Sequence, residues 1–355
     1  MKVLHIVNGL NPGGVEKWLH DLVLNESVHD IHILKQNPSE GFFEKSLELN
    51  GAKISCIPKN KFFYYIRVIA YIKKQNPDVV HSHLHYSSGL YMLLSFVLGV
   101  KCRVTHSHIY TNEKGLGVLR RKYKDMMKIF IRFFSNVRIA VSELSGNCIF
   151  HENDFVILPC GIELNSQVQK KVINGDVPIR IGHIGRFSEE KNHELMFRVA
   201  KQLQATDVEF RMIFIGEGSL KQYFVDKSLE MGLTSYVEFK KPTVSVADFL
   251  TNDVDLFLFP SKFEGLGLSL IEAQYYGLPC IISSSIPKEA VFGNCYIVNV
   301  ESEDAESKIV KVIKDKNYLE QSVSLEFIKS TIENSNINVR NNRLKLNELY
   351  RCGVS

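Results

Sequence analysis

Short apolar runs alternate with longer segments whose apolar residues recur at helical spacing. Lys2–Val7, Asp30–Leu34, Lys53–Ile57, Val79–His81, Lys101–His106 and Val137–Val141 read as strands. Segments of helix length lie between them, among them Gly14–Leu24 and Leu90–Leu98. That alternation predicts βαβ units and a parallel sheet. Near residue 160 the texture changes. Leu158-Pro159-Cys160-Gly161-Ile162 ends a strand in a turn, and polar sequence runs from Glu163 to Asp176. The pattern then restarts. Ile179–Ile184, Glu209–Ile215, Tyr236–Phe239, Leu256–Phe259, Cys280–Ser283 and Tyr296–Val298 read as strands of a second parallel sheet, with helices such as His193–Leu203 and Leu268–Tyr276 between them. The tail, Asn338–Tyr350, is polar and helix-like.

The expected architecture is therefore α/β, with two doubly wound Rossmann-like domains facing a central cleft. The first spans 1–165, a linker follows at 166–178, and the second spans 179–335; a C-terminal helix at about 336–355 packs back on the first. A length of 355 residues with 45% hydrophobic content suits two such cores. In folds of this kind, ligands sit beyond the carboxyl ends of the strands.

Charge and cysteine usage add modest detail. Residues 1–170 hold 21 Lys/Arg against 14 Asp/Glu, so the basic excess lies in the N-terminal half. It suits either an anionic surface or acceptor, or plain solubility. Seven scattered cysteines without a CxxC pair suit reduced thiols and a cytoplasmic setting. No window has the length of a membrane span, Leu90–Val100 being the best candidate. Two segments mix bases with aromatics: Lys59–Lys74, with Phe62, Phe63, Tyr64 and Tyr65, and Lys114–Arg138, with Met126, Ile129, Phe130 and Phe133. They fit either a peripheral site on the inner face of an anionic membrane or packed helices with basic rims.

The strongest chemical signal is Phe259-Pro260-Ser261-Lys262-Phe263-Glu264-Gly265-Leu266-Gly267-Leu268-Ser269-Leu270-Ile271-Glu272-Ala273. A strand ends at Pro260 and a helix starts near Leu268. Free N–H groups at a helix start, here at Leu268 and Ser269, bind phosphate. Glycines such as Gly265 let a ligand approach the backbone. Glu264 and Glu272 flank that site and suit hydroxyl recognition, one for a sugar and one for a ribose. A second signal, His183-Ile184-Gly185-Arg186-Phe187-Ser188-Glu189-Glu190-Lys191, follows a strand. Arg186 offers a planar fork and Lys191 a point charge for phosphate oxygens; the alternative is an exposed ion pair with Glu189 or Glu190. Asn11-Pro12-Gly13-Gly14-Val15-Glu16 opens the first helix, and Gly216-Glu217-Gly218 closes a strand of the second domain. Neither is a dinucleotide fingerprint, and neither a Gly-x-Ser-x-Gly elbow nor a Walker A motif occurs.

The Glu264-x7-Glu272 segment, followed by Tyr276-Gly277-Leu278-Pro279, resembles the family-4 retaining glycosyltransferases of GT-B fold, and the resemblance extends over nearly the whole chain. Leu266 stands where that family often has Phe. The resemblance implies a transferase moving a hexose or N-acetylhexosamine, with retention, from a UDP-sugar to a saccharide or lipid-linked saccharide acceptor in cell-surface polysaccharide synthesis. It implies that Arg186 and Lys191 grip the diphosphate, that Glu264 orients the sugar and that Glu272 binds the ribose. It also implies that Gly13, Gly14, Gly185, Gly216, Gly265, Leu268 and Ser269 approach the donor, and that either His106 or His108 faces the donor sugar. No cofactor, no metal and no nucleic acid is expected. His81-Ser82-His83 and His106-Ser107-His108 each put two imidazoles on one strand face, but acidic or cysteine ligands at suitable spacing are missing from the sequence around them. Two rival readings stay open: a nucleotide-sugar epimerase or hydrolase of the same fold, and a non-catalytic nucleotide-sugar-binding subunit.

Overall fold

The computed structural model describes residues 1–59, 63–110, 117–152, 154–167, 178–243, 246–319 and 323–354. Lys61, Phe62, Lys114 and residues 168–177 of the expected linker lie outside the described residues. The chain divides into two compact units, Met1–Glu163 with Ser335–Ser355, and Leu164–Asn334.

The first unit holds β1 (Lys2–Val7), β2 (Asp30–Lys35), β3 (Lys53–Cys56), β4 (Val79–Ser82), β5 (Cys102–Ser107), β6 (Val137–Ala140) and β7 (Val156–Ile157). Their order is β3-β2-β1-β4-β5-β6-β7, and the pairings are parallel. The order reverses between β1 and β4, the switch point at which doubly wound sheets open a crevice. Alternation decides the faces. Leu4, Ile6, Leu34 and Val80 pack with Val68, Tyr91 and Met92 of two covering helices. His5 stands opposite His81 across β1 and β4, His106 on β5 reaches His81 through its Nδ1 at 3.2 Å, and all three are buried. The tail helix Val339–Val354 belongs to this unit. Its Asn342 accepts a hydrogen bond from the Trp18 indole at 2.9 Å, and its Tyr350 hydroxyl meets His81 at 2.7 Å.

The second unit repeats the plan with β8 (Ile179–Ile184), β9 (Phe210–Ile215), β10 (Val237–Lys240), β11 (Leu256–Phe259), β12 (Cys280–Ser283) and β13 (Cys295–Val298). The order is β10-β9-β8-β11-β12-β13, with a switch point between β8 and β11. Every residue of β11 is buried, as expected of a central parallel strand covered on both faces. Leu195, Val199 and Leu203 of the helix His193–Gln204 pack on the sheet with Ile309 and Ile313 of the helix Ala305–Lys314. Asn165 lies in this unit, and its N–H donates to the Tyr276 hydroxyl at 3.2 Å.

Expected strand boundaries differ from the observed ones by a residue or two. β7 is only two residues long, too short for a periodic pattern to mark. The seven cysteines are free, with Cys102, Cys160 and Cys280 buried. Among the described residues no helix is long and apolar enough to cross a membrane.

Candidate active site

In the second unit, the carboxyl ends of β8, β9 and β11 bring three loops together. The backbone sets their spacing. Gly185 donates to Ile215 at 3.0 Å, Phe187 to Glu217 at 2.9 Å and Lys262 to Glu190 at 2.8 Å. The Asn192 amide donates to the Pro260 carbonyl at 3.1 Å. At Gly216 a Cβ would stand 2.0 Å from the Gly185 carbonyl oxygen, so only glycine permits this approach of two strand ends.

On this frame the Lys191 ammonium is ion-paired and hydrogen-bonded to the Glu264 carboxylate. The lysine side chain is 20% exposed and the glutamate 9%. The ammonium also lies 5.2 Å from the centre of the Phe259 ring. The two groups come from motifs read separately in the sequence, and the fold makes them one unit. Arg186 stands at the end of β8, exposed. Its charge acts on Glu190, whose carboxyl is lowered first by a hydrogen bond with Ser188 and further by Lys191 and Arg186. The exposed ion pair considered for Lys191 with Glu189 or Glu190 is therefore replaced by the Glu264 pair.

The helix Leu268–Tyr275 begins beside this pair. Its cap, Gly267, has φ +98°, a conformation that favours glycine. The N–H groups of Leu270 and Ile271 both turn back on the Gly267 carbonyl. Those of Leu268 and Ser269 belong to the first turn, where no intrahelical acceptor exists. The Ser269 hydroxyl donates to the Ile184 carbonyl at 3.0 Å, tying the helix start to β8, so its contribution to a ligand rests on the backbone. Glu272 lies one turn along the helix and is 9% exposed. Burial raises the Tyr276 hydroxyl pKa, and the Glu272 charge raises it further.

Beneath the loops lies His183, which sequence reasoning did not single out. Its Nδ1–H donates to the Leu258 carbonyl at 2.9 Å, and its buried Nε2 has no partner. Burial lowers its pKa to about 3, so it is neutral. A Cβ on Gly185 would come within 2.7 Å of that Nε2.

In the first unit, Gly13 caps the helix Gly14–Leu24 in an extended conformation without a side-chain cap. His106 is 1% exposed, whereas His108 is partly exposed. The strands bring both together with His5, His81 and His83 around the Trp18 ring. Sequence reasoning found the two His-x-His pairs and missed their union. The available signal was His5, which lies opposite His81 once β1 and β4 are paired.

Comparison with known proteins defines the class. The family described as Glycosyltransferase Family 4 matches residues 12–166, and Glycosyl transferases group 1 matches residues 165–324. The fold is that of the GT-B glycosyltransferases: Anabaena HepE, solved in complex with UDP-glucose, superposes with a TM-score of 0.80 at 15% identity, covering 99% of this chain and 100% of that one. The chain belongs to the glycosyltransferases, with a family-4 domain followed by a group-1 domain. Capsular polysaccharide biosynthesis glycosyltransferase CapH of Staphylococcus aureus is 28% identical over 305 residues, 81% of this chain and 82% of CapH. UDP-Gal:alpha-D-GlcNAc-diphosphoundecaprenol alpha-1,3-galactosyltransferase of Escherichia coli is 23% identical over 287 residues, 69% of this chain and 68% of that protein.

Proposed function

We propose that this transferase moves a hexosyl or N-acetylhexosaminyl group, with retention, from a UDP-sugar to a lipid-linked saccharide during assembly of a capsular or extracellular polysaccharide. The observation that carries the donor half is the Lys191–Glu264 pair at the mouth of the second sheet, beside the start of the helix Leu268–Tyr275. It presents a cation, a carboxylate and backbone N–H groups within one small region. That set matches a sugar diphosphate: charge for the phosphates, acceptors for the hydroxyls.

On this reading Arg186, Lys191 and the N–H groups of Leu268 and Ser269 meet the negative charge that grows on the departing diphosphate, in the place a divalent cation takes in other enzymes. Glu264 receives sugar hydroxyls while holding Lys191 in position. Glu272 accepts from the ribose hydroxyls. Gly185, Gly216 and Gly265 keep the approach clear of side chains. Same-face attack assisted by the leaving phosphate requires no dedicated general base. We assign the sugar-contacting role in the first unit to His108 rather than His106, because His106 is buried. The Gly13-Gly14 loop serves the acceptor side. The names of HepE's bound ligand and of the E. coli relative support uridine and a lipid-linked acceptor for this chain.

The lipid-linked acceptor is also supported by the helix Val118–Phe134. Met127 and Ile131 face the core, while Leu119, Met126, Ile129 and Phe133 form a second stripe on the outside. Leu119 is 86% exposed and Phe133 70%. Arg121, Lys122 and Arg132 are exposed on or beside the stripe. An outward apolar stripe with basic flanks suits the interface of an anionic bilayer.

Thermal denaturation in the presence of UDP, GDP, ADP and their sugars tests the donor assignment, because ligands of the folded state raise its apparent stability. A rise with UDP compounds above the others is expected; a response confined to another base overturns the choice of uridine. Proton NMR of the first product gives the anomeric configuration, and inversion overturns the retaining assignment.

A further inference from the structure

The first sheet contains a histidine cluster of which the proposed sugar transfer uses only His108. His5 on β1, His81 and His83 at the end of β4, and His106 and His108 at the end of β5 lie side by side under the Trp18 ring. Four of the five are buried, and burial lowers their pKa values far enough to keep them neutral. Burying four imidazoles where Val or Ile would pack is costly unless their nitrogens are used. Most are. Yet His5 Nε2 and His106 Nε2 are buried without a hydrogen-bond partner.

We infer that His83, His106 and His108 form a binding site for one divalent transition-metal ion, with zinc the natural occupant. Each of the three offers a ligand nitrogen within 4.8 Å of the other two. His83 Nδ1 and His108 Nε2 are already 2.8 Å apart. Tetrahedral bonds of about 2.0–2.1 Å to zinc would put nitrogens about 3.3 Å apart, so the rings need to open by roughly half an ångström. His106 supplies the third ligand nitrogen, and its buried Nε2 has no hydrogen-bond partner.

The surrounding groups match what metal-bound histidines require. A ligating imidazole donates its other N–H to a neighbour that fixes the tautomer. His83 Nε2 lies 3.0 Å from His5 Nδ1, and His106 Nδ1 lies 3.2 Å from His81 Nε2. His81 is held in turn by the Tyr350 hydroxyl of the tail helix. His108 Nδ1 is 3.5 Å from Cys160 Sγ. All three ligands thus have an outer partner. Neutral imidazoles select ions such as zinc, copper, nickel and cobalt over magnesium or calcium. Glu16 is near enough to Cys160 to act on its thiol, and so brings negative charge close to the site. His108 is partly exposed and supplies a way in. Three protein ligands leave a fourth position for water or a hydroxyl. The expectation of no metal considered each His-x-His pair within its own sequence neighbourhood; the sheet joins the pairs and adds Cys160.

The site shares His108 with the sugar contact proposed above, but its readout is metal binding and not activity, so the two readings fail separately. Full-length protein, stripped with chelator, is titrated with Co2+ while the visible d–d absorption is followed. One equivalent with a tetrahedral spectrum, displaced by Zn2+, is expected. His83→Gln and His108→Gln should each weaken Co2+ binding by about 100-fold or more with unchanged far-UV circular dichroism. Absence of stoichiometric Co2+ binding by the wild type, or equally tight binding by both folded variants, overturns the site. If the variants unfold, NMR of the Co2+-loaded wild type decides. Hyperfine-shifted, exchangeable imidazole N–H signals support the site, and their absence overturns it.

Discussion

Lys191 and Glu264 are 73 positions apart in the chain and in contact in the fold. Removing either member leaves a poorly solvated charge behind, so the pair acts jointly. Lys191→Ala should lower kcat by about 100- to 1000-fold, the scale found when one donor to a developing charge is removed. Glu264→Gln should raise KM and lower kcat together; steady-state kinetics separates the two effects. Gly216→Ala is a test of geometry. Its methyl group would meet the Gly185 carbonyl, and a loss of about 1–3 kcal/mol in chemical denaturation is expected. The residues of the candidate site were legible in the sequence, because Glu264, Glu272, Arg186 and Lys191 lie in two compact motifs beside glycines. The pairing of Lys191 with Glu264 was not, since a contact between distant loops depends on strand order. The orphaned His183 nitrogen was hidden for the same reason: only packing shows that nothing meets it.

At the scale of elements, strands were legible because parallel strands covered on both faces read as unbroken apolar runs, as Leu256–Phe259 does. Helix faces were harder. The segment ending at Arg138 mixed bases with aromatics, and sequence alone left two readings in balance. The structure shows that the helix Val118–Phe134 has an inward stripe and an outward one. The outward stripe supports a membrane role, which flotation with liposomes containing anionic lipid tests. Wild type should float at low salt and be released as salt rises. Leu119→Glu with Phe133→Glu should abolish flotation while leaving the fold intact. Equal flotation of this double variant would remove the helix from the interface.

For the molecule as a whole, two sheets of the same plan follow one another in the chain, and their carboxyl edges carry different chemistry. The second gathers charge and backbone N–H groups; the first gathers neutral imidazoles. Buried neutral histidines also set the acid limit of stability. His183 and His193 are lowered to about 3 and about 2 by burial, against about 6.5 in an unfolded chain. As pH falls below about 6.5 the unfolded chain takes up these protons first. Stability is therefore lost progressively from there towards pH 3, by at most about 1.4 kcal/mol per pH unit for each histidine. Melting temperatures measured from pH 7.5 to pH 5 should fall below about pH 6.5. A level profile over that range contradicts the burial of neutral rings.

On the proposed function, cations at the edge of the second sheet carry the charge of a departing nucleoside diphosphate. Arg186 is its clearest test, because it is exposed and its loss disturbs no packing. The measurement is UDP release from the UDP-sugar that stabilises the protein most, with a lipid-linked acceptor present, for wild type and Arg186→Ala. A kcat lower by about 100-fold or more is expected in the variant, with its melting temperature unchanged. Wild-type turnover by Arg186→Ala would contradict it.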